Sequence, residues 1–168
     1  MLELLAIAAF AGLLIYAAGS DVARLIIPNW VSIAMVAIFL PVALLSGVPL
    51  REIGLHLLFA VAILAVGFFM FSANIIGGGD AKLLAAASAW TGFVAFTPFI
   101  FWTAAVGGVL ALVLLAARQW VQQAETNPPF VNRLLTGKSG IPYGVAIMAG
   151  GLMAIPSIPF LSTTLTIP

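Results

Sequence analysis

Apolar runs close to the length that crosses a bilayer recur along this chain, and little charge separates them. Hydrophobic residues make up 64% and charged residues 7% of the 168, which excludes an ordinary soluble domain. Backbone amides and carbonyls in hydrocarbon must bond internally, so helices are the expected solution. The expectation is an all-α, polytopic membrane bundle with about six transmembrane segments, forming one domain over 1–168. The apolar runs are Leu4–Gly19, Trp30–Leu45, Leu57–Phe71, Ala81–Trp90, Phe99–Ala117 and Ile141–Ile155. The fourth and fifth nearly merge, and Trp90-Thr91-Gly92 and Thr97-Pro98 are the candidate breaks. A break at the first leaves a short fourth segment. The first run has Glu3 and no Lys or Arg before it, unlike a secretory signal, and is read as a retained helix.

Basic residues give the orientation. Arg24, Lys82, Arg118, Arg133 and Lys138 fall on one face of the six-segment arrangement, and Arg51 alone falls on the other. Positive charge collects in the cytoplasm, which puts the connection 119–140 there and both termini outside. The net charge of +1 offers no basic surface for nucleic acid. No Cys and a single His, His56, exclude thiolate metal sites and argue against zinc, so no metal and no cofactor is expected.

The two aspartates, Asp21 and Asp80, both end apolar runs on the face assigned to the cytoplasm. An ionisable group at a membrane boundary is costly to bury and is a functional candidate for that reason. Asp80 follows Gly77, Gly78 and Gly79 and precedes a helix-forming run that includes Lys82. Its plainest role is a helix N-cap, but successive glycines weaken a helix by roughly 1 kcal/mol each and point to positive φ or to close approach of another backbone. Asp21 could pair with Arg24 as an interfacial carboxylate. If instead Asp21 and Asp80 meet, they share one proton. One then takes a proton from water while the other polarises a carbonyl.

Other chemistries fit poorly. There is no HExxH, and one His supports no serine–histidine pair. Thr136-Gly137-Lys138-Ser139 is like the end of a phosphate-binding loop, but Asn132 stands where its first glycine belongs. Adjacent Lys138 and Ser139 are a weak catalytic pair, and Lys138 reads better as a positive-inside anchor. Trp30, Trp90, Trp102 and Tyr143 read as interfacial or packing aromatics.

Three segments in order, Asp21 followed by Ile27-Pro28-Asn29, Gly77-Gly78-Gly79-Asp80-Ala81-Lys82-Leu83, and Ile141-Pro142-Tyr143-Gly144-Val145-Ala146, resemble those of the type IV prepilin peptidases, membrane aspartyl proteases of the GxGD type. The resemblance implies Asp21 and Asp80 as the catalytic pair, with Gly77, Gly78, Gly79 and Lys82 toward substrate. It also implies cleavage, at the cytoplasmic face, of the short basic leader of prepilins or pseudopilins. The absence of Cys and of an insertion after Asp21 makes the chain similar to the short, tight-adherence (Flp) pilus branch, with methyltransferase activity not expected. Archaeal preflagellin peptidases share the chemistry. A proton- or ion-coupled transporter with Asp21 and Asp80 as relay groups, and a non-enzymatic pilus or secretion assembly subunit, are the competing readings.

Overall fold

The computed structural model describes residues 1–121, 124–136 and 140–161. These form α1 (Leu2–Arg24), α2 (Asn29–Leu45), α3 (Leu50–Ser72), α4 (Gly78–Thr91), α5 (Phe96–Trp120), α6 (Pro129–Leu135) and α7 (Tyr143–Ala154), followed by a 3-10 turn, Ile155–Ser157. Lys138 and Ser139 lie outside the described residues.

The expectation of about six transmembrane segments is not met. Among the described residues, three helices, α1, α3 and α5, are long and apolar enough to cross a membrane. At 1.5 Å per residue, the 17 residues of α2 reach about 25 Å, the 14 of α4 about 21 Å and the 12 of α7 about 18 Å, all short of a core of about 30 Å. The physical reason is where the apolar side chains point. In α4, Ala81, Leu83, Ala85, Ala86, Ala87, Ala89 and Trp90 are buried, so its hydrophobicity serves protein packing, as expected of an apolar helix of 10–14 residues. Much of α3 faces outward instead, with Leu55, Leu58, Phe68 and Phe69 all exposed. Hydropathy reports how apolar a segment is, not what covers it.

The helix boundaries follow local chemistry. Gly92 at φ 56 ends α4, so the chain breaks at Trp90-Thr91-Gly92. Pro98 sits in the first turn of α5, where a missing amide costs no intrahelical bond. Helix α3 begins at Leu50, well before its apolar run, because Arg51 and Glu52 occupy a polar first turn. Within 119–140, α6 opens with Pro129 at its first position, and Arg118 Nε donates to the Leu134 carbonyl at 2.9 Å.

Small residues bring the helices together. A Cβ on Gly67 would stand 2.9 Å from that of Ala81, one on Gly151 2.5 Å from Leu14, and one on Gly150 2.0 Å from Thr103 Oγ1. These join α3 to α4, α1 to α7 and α5 to α7. Close backbone approach through small residues is how helices gain contact where lipid removes the hydrophobic drive between them. Trp90 fills the centre, stacked on Phe10 at 5.0 Å, with its indole N–H donating to the Met35 carbonyl at 2.9 Å. His56 is a packing residue at that end of α4, hydrogen-bonded through Nδ1 to Ala89 O at 2.7 Å and lying against Gly92.

Gly150→Ala should lower the thermal midpoint of the detergent-solubilised protein, by the equivalent of about 1–3 kcal/mol or more for a forced overpacking. Gly108→Ala, whose added Cβ meets nothing within 4 Å, should be neutral or stabilising. Equal midpoints for the two variants would contradict the packing described.

Candidate active site

Asp21 lies in the last turn of α1, one turn before the helix ends. Leu25 closes the helix in the left-handed region at φ 55, with its N–H donating to the Asp21 carbonyl at 2.7 Å. A leucine held there costs about 1–2 kcal/mol, and the turn it makes is tight. Ser20 Oγ donates to Ile26 O at 2.8 Å across that turn, and the chain folds back so that Ile27 is buried before Pro28 starts α2.

The glycine run receives that turn. None of Gly77, Gly78 and Gly79 has positive φ, so the expectation narrows to close approach. A Cβ on Gly79 would lie 3.1 Å from Ile27 Cβ and within 3.6 Å of the Ile27 backbone N and O, and one on Gly78 3.3 Å from the Phe71 ring. The approaching backbone is this chain's own. Asp80 is not the N-cap of α4. It is the third residue of the helix, and its Oδ2 accepts the N–H of Gly77, the N-cap residue, at 3.3 Å. This is half of a capping box, since Gly77 has no side chain to supply the other half.

The third element is α7. Pro142 precedes it, and the amide of Gly144 belongs to the first helical turn, where backbone N–H groups lack intrahelical partners. That amide donates to Asp21 Oδ2 at 2.8 Å. Asp21 thus sits at the unfavourable end of its own helix dipole and at the favourable end of another. A Cβ on Gly144 would stand 2.9 Å from Asp21 Oδ2, which explains a glycine at this position.

Asp21 is 5% exposed, and Asp80 is half-buried. Burial first, and the neighbouring Asp21 second, push the Asp80 carboxyl up to about 7, against the partial relief of the Gly77 amide. The structure therefore places Asp80 on the Gly77 amide and near enough to Asp21 to feel its charge, with Gly79 packed behind the turn. Among the described residues Asp21 makes no ion pair with Arg24, and its carboxylate accepts the Gly144 amide instead. Lys82 is directed elsewhere. Two positions after Asp80 it is turned by about 200° around α4, and its ammonium donates to Asn29 Oδ1 at 2.9 Å. Gly144 lies in the third segment of the resemblance, which implies no role for it, and the structure makes it the partner of Asp21.

A family model described as the type IV leader peptidase family matches residues 8–112, more than half of the chain, across both aspartates. The chain belongs to the type IV leader peptidase family. No curated protein and no solved structure matches it. Family and helices together make it a polytopic membrane protein of peptidase type.

The raised Asp80 carboxyl has a measurable consequence. Its folded value, about 7, lies above the ordinary 3.8, so the folded protein binds an extra proton between those limits. Stability from this group is complete below the lower value and is lost as pH rises through the upper one. An infrared band of a protonated carboxyl should disappear as pH rises through about 7 and be missing from Asp80→Asn. The fall in thermal midpoint over the same range should also be shallower in that variant. A carboxyl that ionises near pH 4 would contradict the assignment.

Proposed function

We propose that this chain is an aspartic endopeptidase that removes the short basic leader from prepilins or pseudopilins, with Asp21 and Asp80 as its catalytic pair. The observation that carries this reading is that Asp21 lies near enough to Asp80 to help raise its carboxyl to about 7, in a chain of the leader peptidase family. In the mechanism, a water lies between the two groups. In this reading Asp21, held by the Gly144 amide, is the ionised member of the pair and Asp80 the protonated one. Asp21 takes a proton from the water as its oxygen bonds to the scissile carbonyl carbon, and Asp80 gives its proton to the carbonyl oxygen. Collapse of the tetrahedral intermediate breaks the C–N bond, the leaving amine takes the proton held by Asp21, and the intermediate hydroxyl returns its proton to Asp80. Two carboxyls sharing one proton are suited to both halves of this cycle.

The same reading places the aspartate end of the bundle in the cytoplasm. Arg24, Lys82, Arg118 and Arg133 lie at that end and Arg51 at the start of α3, at the other, which is the distribution expected if the aspartate end of an inner-membrane protein faces the cytoplasm. Direct passage from Asp21 to Ile27-Pro28-Asn29, with no Cys, supports the short tight-adherence branch and cleavage without N-methylation. Gly78 and Gly79 are covered by Phe71 and Ile27, and in this reading the substrate passes the exposed Gly77 beside Asp80.

Asp21→Asn and Asp80→Asn should each abolish leader cleavage of a co-expressed prepilin, scored by mass spectrometry of its N-terminus, and the double variant should be no worse than either alone. Asn keeps the shape and the hydrogen bonding of the aspartate but cannot take water's proton. Normal cleavage by either variant would remove that residue from the mechanism. Proton-coupled solute flux without cleavage in the wild type would favour the relay reading.

Cleavage should also survive strong chelators, because two carboxyls activate the water without a metal. Loss of activity on chelation, restored by zinc, would contradict the mechanism.

A further inference from the structure

On the side of α4 turned away from Asp80, a cleft of about 880 Å³ opens between α2, α3 and α4. Helix α4 packs against both α2 and α3, which scarcely touch each other, so α4 forms the floor and the other two form the walls. Ala85 and Ala86 keep the floor low, and Val61 and Leu64 of α3 make one wall. The volume is in the range of sites that hold a small organic ligand, about 300–1,000 Å³.

Polar groups are confined to the end nearest the aspartates. Lys82 and Asn29 stand there, joined by their 2.9 Å hydrogen bond, and no carboxylate lines the cleft. One turn deeper along α2, about 4.5 Å away, Ser32 lines the wall, and its hydroxyl is buried with no hydrogen-bond partner among the described residues. A serine hydroxyl reaches a new partner by rotation of χ1. Below Ser32 the lining is apolar as far as Ala37, about 12 Å from Asn29. One leaflet of the hydrocarbon core is about 15 Å deep.

The geometry points to a binding site for an acidic phospholipid in this cleft. Its phosphate lies on Lys82 and Asn29, an ester oxygen reaches the depth of Ser32, and an acyl chain runs to Ala37. The order of cation, hydroxyl and apolar lining matches the order of phosphate, ester and chain in a lipid. The depth decides between a lipid and the membrane helix of a protein substrate. A spanning helix needs about 30 Å, and the cleft ends after one leaflet. A lone ammonium with no competing carboxylate favours an anionic over a zwitterionic headgroup, and basic pockets between helices at a membrane boundary are where such headgroups bind.

Native mass spectrometry of the full chain, released from vesicles of equal phosphatidylglycerol and phosphatidylcholine, tests the site. The wild type should retain one phosphatidylglycerol in preference to phosphatidylcholine. Lys82→Gln should reduce that preference about fivefold, the scale of one Lys at a membrane surface, and Lys82→Arg should keep it. Ala37→Trp fills the lower cleft from an exposed position and should lose retention of both lipids without affecting folding. Equal retention of the two lipids by the wild type would overturn the proposal. So would undiminished phosphatidylglycerol on Lys82→Gln or Ala37→Trp, or cross-linking of a prepilin helix from position 37 in place of lipid. Retention is read without substrate, so failure here leaves the peptidase reading standing, and loss of that reading leaves this site intact.

Discussion

A carboxylate buried near the end of an apolar helix has to be satisfied by something other than water, and Asp21 is satisfied by the free amide of Gly144. That one bond fixes several features. It needs α7 to begin where α1 ends, a residue without a Cβ at 144, and a first-turn amide that no carbonyl of its own helix can use. It also fixes Asp21 as a neighbour of Asp80, because α4 starts beside the same turn. Without the Gly144 amide, burial would leave the Asp21 carboxylate uncompensated, and the turn through Leu25 would have no fixed point to fold against.

Small residues make that arrangement possible. Helices α4 and α7 are short, apolar and lined with Ala and Gly, and they sit inside a frame made by α1, α3 and α5. At Gly67, Gly150 and Gly151 an added methyl would meet a neighbour at 2.9 Å or less. The N-terminal ends of the two short helices carry the site: Asp80 at the start of α4 and Gly144 at the start of α7. Burial that packs α4 also raises the Asp80 carboxyl, so fold and acidity have one cause.

The splayed walls above α4 follow from the same construction. A short interior helix covered on one side by α7, with Phe10 of α1 stacked on its Trp90, is left on the other with α2 and α3, which touch it but hardly each other. Lys82 is directed into that opening by the helical repeat that points Asp80 away from it. Two faces of one helix thus carry two kinds of polar chemistry, a paired acid and a single base.

Several features were legible in the sequence because they depend on local chemistry. Scarce charge and long apolar runs determined a helical membrane protein, Trp90-Thr91-Gly92 was one of two candidate breaks and is where α4 ends, and two aspartates at the ends of apolar runs marked the candidate site. The glycine run suggested either positive φ or a close approach, and the structure shows the second, with the Ile27 backbone against Gly79. What only the tertiary structure decided was what covers each apolar face and which distant groups meet. Runs of similar hydropathy became spanning helices in α1, α3 and α5 and shorter ones in α2, α4 and α7, because hydrophobicity along a chain does not distinguish a face turned to lipid from one turned to protein. Gly144 reaches Asp21 across 123 positions, and Lys82 reaches Asn29 across 53. Such partners are set by how helices cross in three dimensions, which no local pattern encodes.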